Sequence, residues 1–434
     1  MNNNFIPADH PPDGFCKPNH KKFKGFVPAS DSASAGAFGA SGAPGIKNGN
    51  PKFIPAEALT NGDSFKNDVK YVPAYLQGRE HSLNWWSPDA FFQYDSMLVS
   101  TYYGIKTPNY RDFYKIPRKG FTLYGDSGGF QNATVEGANL NPVNVLRWQE
   151  ENCDIGFILD YPIAPSAPDN LIEIYRKRTT ENAELALSKH QNKEMKLYGV
   201  LHGRNKEELH TMSKQYQDLS RFDGIALGSI VPKKSDYMYI AYISMLFAEE
   251  IQDYKKLPVH FFGVSGVNSL PIILYIAHKY DLNITFDSAS YGVGAQHREY
   301  WNPFNLSKNS LTYGNDPKTS IVPSTLPCDC PVCSTIKNDL IDMIKSNKNN
   351  SVVGSLICLH NLYCFIRFSN MITAYSEKEQ LLKDLVKNIC VDTTSKALEF
   401  IDFSLENGIE NGYKRYFEPT NPSILNETSS LFED

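Results

Sequence analysis

The chain has 434 residues, 41% of them hydrophobic and 21% charged, with a formal net charge of −5. That balance suits one large globular domain with appendages, or two to three domains, and excludes a uniformly basic nucleic-acid coat. Any site for a polyanion must be a local patch.

The N-terminus, MNNNFIPADHPP, has no apolar run typical of a secretory signal, and no signal peptide is expected. No run of eighteen apolar residues is evident, so no membrane partner is expected. A short element recurs as Phe5-Ile-Pro-Ala, Phe26-Val-Pro-Ala, Phe53-Ile-Pro-Ala and Tyr71-Val-Pro-Ala. An aromatic before Val/Ile-Pro is extended peptide that could dock on the body or a partner, or could be compositional drift. Lys17, Lys21, Lys22 and Lys24 form a small basic cluster, and 29–45 is Ala/Ser/Gly-rich linker. Residues 1–65 are therefore read as a flexible N-terminal extension.

From about 70 to 325 short apolar runs alternate with helical patterns. The predicted strands are Tyr71–Leu76, Met97–Tyr103, Thr122–Tyr124, Ile155–Leu159, Lys196–Leu201, Gly224–Leu227, Val259–Val264 and Ile284–Phe286. Helices are predicted over 168–190, 205–219 and 268–280. Strand–helix alternation means a parallel sheet, and eight such units fit an α/β fold, a (β/α)8 TIM-like barrel, over 66–325. An open doubly wound sheet is the alternative. No G-x-G-x-x-G follows the first strand and no P-loop occurs. Residues 326–434 are read as a zinc-binding helical C-terminal region, with helices over 352–374 and 377–406.

Eight cysteines occur, with no disulfide framework, which fits a reducing compartment. Cys328-Asp-Cys330-Pro-Val-Cys333 crowds three thiols together, and His360 follows on a predicted helix. Three sulfurs and one imidazole suit tetrahedral Zn²⁺, with Zn–S near ~2.3 Å. Four protein ligands leave no open position, so the metal would be structural. The alternative is three unrelated free thiols. Cys358 and Cys364 read as core.

In a barrel, polar residues just after the strands face the site. They read Gly125-Asp126-Ser127-Gly128-Gly129-Phe130-Gln131, then Asp160, His202-Gly203-Arg204, Gly228-Ser229, Phe262-Gly263 and Phe286-Asp287-Ser288. Two carboxylates flanking a glycosidic bond support nucleophile and acid/base chemistry, and a third can read the donor edge of a purine. The paired glycines Gly128 and Gly129 let backbone approach a flat ligand closely, and Gly203, Gly228 and Gly263 are further candidate binding residues. Phe130 and Phe262 could hold a base between two faces. Each aspartate could instead cap a loop or helix, and His202 could be a core histidine.

Asp126-Ser-Gly-Gly-Phe-Gln131 resembles the D-S-G-G-[FY]-Q signature of the tRNA-guanine transglycosylase superfamily. Cys328, Cys330, Cys333 and His360 resemble its zinc set in order, and Phe286-Asp-Ser-Ala-Ser-Tyr291 is similar to the nucleophile motif of its archaeosine-type branch. The resemblance covers roughly 95–375. It implies exchange of guanine for a 7-deazaguanine. Asp287 would be the nucleophile at C1′ and Asp126 the general acid/base. Asp160, Ser127, His202 and Ser229 would contact the base, with Phe130 and Phe262 at the stacking positions. The family's V-Q-G-G is here Leu201-His202-Gly203-Arg204, which alters base recognition. The bacterial anticodon-reading tract and a C-terminal PUA-type RNA-binding domain are not found, and the first 90 residues do not resemble the tRNA enzymes.

Those departures favour DNA over tRNA, as in the DpdA-type DNA-modifying branch of phages and bacteria. The expected partners are duplex DNA with the target guanine flipped out and a preQ0-like base, in the cytoplasm of a bacterium or phage-infected host. Lys233, Lys234 and Arg298 are candidate phosphate contacts. A helper ATPase and a homodimer are open. An archaeosine-type tRNA enzyme is the alternative reading, and a non-catalytic partner subunit is a second.

Overall fold

Eight short runs of aliphatic, β-branched and aromatic residues pair side by side, all parallel. They are β1 (Val69–Pro73), β2 (Ser96–Ser100), β3 (Thr122–Asp126), β4 (Ile155–Phe157), β5 (Lys196–Leu201), β6 (Gly224–Leu227), β7 (Val259–Phe261) and β8 (Ile284–Ser288). The computed structural model describes residues 68–76, 83–163, 167–228, 230, 236–254, 256–264, 266–303, 305–311, 328–346 and 350–418. The N-terminal extension, its three earlier Pro-Ala repeats, Lys233, Lys234 and Ser229 lie outside them.

The sheet runs β1-β8-β7-β6-β5-β4-β3-β2. Its two ends then meet. Ala74 bridges Leu98, Tyr75 N–H donates to the Leu98 carbonyl at 2.8 Å, and the Tyr94 hydroxyl donates to the Tyr71 carbonyl at 2.7 Å. Closure leaves almost no free strand edge, and the sheet is a nearly closed TIM-like barrel rather than an open one.

Helices wrap this barrel: α1 (Gly129–Thr134), α2 (Pro142–Asn152), α3 (Asp169–Lys189), α4 (Lys206–Gln215), α5 (Tyr237–Glu250), α6 (Ser269–Tyr280) and α7 (Ser290–Gln296). Several carry their own start signals. Asn141 accepts from the Val143 and Asn144 amides, with Pro142 opening α2, and Asn205 accepts from the Glu208 amide to open α4. A hairpin, β9 (Glu299–Trp301) and β10 (Lys308–Ser310), follows α7. The chain then forms α8 (Pro331–Ser346), α9 (Asn350–Ser376), α10 (Glu379–Ile389), α11 (Asp392–Asn407) and α12 (Ile409–Tyr416).

Several boundaries shift: β1 starts at Val69 and ends at Pro73, β7 stops at Phe261, and α4 ends at Gln215. Two further differences have a visible cause. The second strand ends at Ser100 and a one-turn helix, Thr101–Gly104, takes over. Gly104 packs flat on Trp148, where a Cβ would lie 2.4 Å from the ring. The helix predicted over 377–406 is two helices. Cys390 is extended, its thiol donates to the Val267 carbonyl at 3.2 Å, and the Val391 amide donates to Asn268 Oδ1 at 3.0 Å. Those tertiary bonds replace the helical bonds at the break. The hairpin was not foreseen, because two three-residue strands leave too little periodicity to read.

Ser351–Ser376 is long and apolar enough to cross a membrane by composition, yet 78% of its most apolar window is buried in the fold. It is a core helix: Phe365 meets Tyr71 of β1 edge-on with centroids 4.6 Å apart.

One buried pair ties the loops beneath the barrel. Arg111, 2% exposed, donates to both oxygens of Asp154 at 2.8 Å and to the carbonyls of Pro117 and Phe121. Asp154 also accepts the Leu123 amide at 2.7 Å. Removing the guanidinium strands these acceptors. Arg111→Ala is expected to cost about 3 kcal/mol in urea unfolding, at the low end for a broken buried pair because Asp154 keeps some water.

Candidate active site and metal centre

The carboxylates expected to converge do so at the C-terminal mouth of the barrel. Asp126 ends β3, Asp160 follows β4, and Asp287 lies within β8. Asp160 is 7% exposed and Asp287 8%. Burial first, then the charges of Asp160 and Asp287, push the Asp126 carboxyl up to about 7; bonds from Ser100 and the Gly128 amide oppose this.

Asp160 is held from two sides. Ser127 Oγ donates to Oδ1 at 2.7 Å, and His202 Nε2 lies 2.8 Å from Oδ2. The turn carrying Ser127 is pressed onto it: a Cβ on Gly129 would lie 2.4 Å from Asp160 Oδ1. Gly128, in the left-handed region at φ 79°, makes that turn without strain.

His202 was expected to touch a base directly. It is 1% exposed and stands behind Asp160, so its nearest route to a ligand is through that carboxylate. The candidate glycines also lie close to the protein's own groups. A Cβ on Gly228 would lie 2.0 Å from the His202 ring, and one on Gly203 would lie 2.7 Å from the Leu209 amide. These glycines make room for the protein's own groups. The Gly263 amide is likewise committed, donating to Asp287 Oδ1 at 2.9 Å. Phe130 projects from the first turn of α1, 55% exposed. Phe262 is half-buried, its ring 4.8 Å from Phe157 and 4.7 Å from His260. Arg298 is described, with a left-handed backbone, and Ser229 lies outside the described residues.

The sequence reading missed His260. It sits in β7, fully buried, with Nε2 3.3 Å from Asp287 Oδ1 and Nδ1 2.8 Å from Thr285 Oγ1. The available signal was a lone imidazole in the apolar run Val259-His-Phe261, two residues before Phe262-Gly263.

Cys328, Cys330, Cys333 and His360 come together as expected, each ligand atom within 4.8 Å of the others. A tetrahedral ion with bonds near ~2.3 Å needs edges of about 3.8 Å. His360 Nδ1 lies 3.4 Å from Cys330 Sγ and 3.3 Å from Cys333 Sγ. Its Nε2 faces the Trp301 carbonyl at 2.9 Å, which fixes the proton there and leaves the Nδ1 lone pair toward the sulfurs. Tyr300 stacks on the His360 ring at 3.8 Å, and its hydroxyl reaches Cys333 Sγ at 3.3 Å. The donor set and the oriented imidazole fit an ion such as Zn²⁺. Cys358 and Cys364 are buried, as read from the sequence.

Grouped carboxylates at the mouth of a (β/α)8 barrel, together with a Cys3His cluster able to hold a metal ion, define a barrel protein with a candidate acid/base centre and a candidate metal site. The family is equally clear: the chain belongs to the queuine tRNA-ribosyltransferase (TGT) family, whose sequence model matches residues 105–393. It is similar to the tRNA-guanine(15) transglycosylase of Methanococcus aeolicus, with 29% identity over 287 residues, covering 64% of this chain and 41% of that protein. The tRNA-guanine(15) transglycosylase of Thermococcus kodakarensis is 24% identical over 346 residues, covering 78% of this chain and 54% of the relative. The chain spans about half the length of these curated relatives.

Chelation of metal from these ligands is expected to lower the melting temperature and release protease sites around 328–376, in calorimetry and limited proteolysis. Unchanged melting after complete metal removal would show that the cluster does not hold a structural ion.

Proposed function

We propose that this protein exchanges guanine for a 7-deazaguanine in tRNA, through a covalent glycosyl-enzyme on Asp287. The observation that carries the reading is the arrangement of the three carboxylates: Asp160 and Asp287 each held by two donors, and Asp126 pushed up to about 7 because its bonds from Ser100 and the Gly128 amide do not offset burial and the neighbouring charges. A nucleophile must stay ionised and oriented. An acid/base must both give and take a proton near neutral pH.

Asp287 offers Oδ2 to C1′ of the target nucleoside; among the described residues only Oδ1 is bonded. As the new C–O bond forms, the C1′–N9 bond breaks and its electron pair leaves with guanine. Protonated Asp126 supplies the proton. In the second half the Asp126 carboxylate takes the N9 proton of the incoming base, N9 attacks C1′, and Asp287 leaves. Two displacements return the original configuration. Asp160, with Ser127 and His202 behind it, accepts from the N1–H and 2-amino group of either purine. Phe130 and Phe262 flank the ring. A Zn²⁺ in the Cys3His cluster would have no open position and a structural role.

The choice of polymer changes from the one the sequence favoured. The named relatives modify tRNA, and that weighs for tRNA over DNA. The reading needs no duplex DNA, helper ATPase, homodimer or phage-infected host; a cytoplasmic location remains part of the proposal.

Radiolabelled guanine offered with bulk tRNA and duplex DNA in parallel tests the reading. Label is expected in tRNA, with Asp287→Ala incorporating none and trapping no covalent complex. Label in DNA alone would return the polymer to DNA, and label in neither would remove the activity.

A second outcome follows from Asp126. Its folded pKa lies above its ordinary 3.8, so the folded state keeps a proton that the unfolded chain releases. That contribution to stability is complete below about pH 4 and is lost as pH rises through about 7. Asp126→Asn should therefore melt higher than wild type at about pH 8 and match it at about pH 4, while exchange is lost at both.

A further inference from the structure

We infer that His260 is a positioning residue for Asp287: its Nε2–H, with the Gly263 amide, holds Oδ1 and turns Oδ2 toward the substrate. The inference rests on the reading of Asp287 as nucleophile given above.

The argument starts from the strands. His260 of β7 pairs in register with Thr285 of β8. Asp287 is two residues beyond Thr285, and side chains two apart on a strand share a face. The imidazole therefore lies against both, and the bonds agree: Nδ1 to Thr285 Oγ1 at 2.8 Å and Nε2 to Asp287 Oδ1 at 3.3 Å. Phe157 and Phe262 pack on the ring, with centroids 4.9 Å and 4.7 Å away, and Tyr124 stands at 6.1 Å. No water competes for a ring that is 0% exposed.

Proton counting fixes which atom donates. Thr285 has one hydroxyl proton and two acceptors in reach, His260 Nδ1 at 2.8 Å and the Val259 carbonyl at 3.3 Å. If the proton goes to Nδ1, the neutral imidazole carries its own proton on Nε2. If it goes to Val259, Nδ1–H must donate to Oγ1, and an unprotonated Nε2 would set a lone pair against a carboxylate oxygen. That contact is repulsive, which disfavours this arrangement and leaves the tautomer with Nε2–H pointing at Oδ1.

Two donors on one oxygen have a directional result. The Gly263 amide reaches Oδ1 at 2.9 Å, and among the described residues nothing bonds Oδ2. The carboxylate cannot swap its oxygens by rotation without breaking both bonds. One oxygen is anchored, and the other keeps its full nucleophilicity and a fixed line of approach. His260 touches neither base nor sugar in this scheme; it acts through Asp287.

The test uses the amide side chains as atomic probes. Gln at 260 can place its Nε2 donor where the imidazole Nε2 stands. Asn reaches only the Nδ1 position beside Thr285, and Leu fills space without a donor. His260→Leu and His260→Asn are expected to slow formation of the covalent complex with tRNA by roughly 10²-fold, as for other lost oriented donors. The affinity for free guanine, read by calorimetry, stays unchanged. His260→Gln is expected to recover the rate to within about 5-fold of wild type on the same scale. A Leu variant that traps at the wild-type rate overturns the inference. So does a Gln variant that is as slow as Leu while melting like wild type, because then only the ring's packing matters. If wild type traps no tRNA, the proposed activity fails, and nitrogen NMR of the full chain still decides the positioning. A protonated His260 Nε2 whose signal moves in Asp287→Asn upholds the bond; a bare Nε2 excludes it.

Discussion

Negative charge crowded into a largely buried barrel mouth is costly unless each carboxylate is met by donors. Three aspartates share this mouth, and the surrounding structure divides the cost unequally. Asp160 takes a serine hydroxyl and an imidazole. Asp287 takes a backbone amide and a second imidazole. Asp126 carries the remainder as a raised affinity for protons. The inequality separates one proton-holding group from two donor-held ones, and the charges of Asp160 and Asp287 themselves help to raise Asp126.

The metal knuckle is not remote from this division of labour. His360 links the sulfurs to the Trp301 carbonyl, and its neighbour Asn361 extends the link. Asn361 Nδ2 donates to the carbonyls of Tyr291 and Glu299, and its Oδ1 accepts the Trp301 amide at 2.9 Å. Tyr291 follows Asp287 by four residues and ties back to the Ala74 carbonyl through its hydroxyl at 2.9 Å. One buried stretch of α9 therefore fixes the hairpin, the turn after β8 and the seam near β1. A metal ion bound by the Cys3His cluster would hold this helix by bonds that do not depend on packing volume.

Much of this was legible in the chain. Asp126, Asp160 and Asp287 stood out because each stands at or just after the end of an apolar run, where a charged residue has no packing role. The Cys3His set stood out because three thiols within six residues have few other uses. His260 did not, because a histidine inside an apolar strand gives no sign of what lies across the sheet; only the register opposite Thr285 does. The surroundings of the glycines were not legible for a related reason. Sequence shows that a Cβ is absent, not which neighbour fills its place, and at Gly228 and Gly129 that neighbour is the protein itself. The break at Cys390 depends on bonds to residues 267–268, more than a hundred positions away.

Gly228 and His202 occupy one volume between them, since a single added methyl at 228 would stand 2.0 Å from the imidazole. The two positions are therefore coupled in space. While the imidazole keeps its present place against Asp160, a side chain at 228 must displace it, so a substitution at 228 acts on Asp160 without touching it.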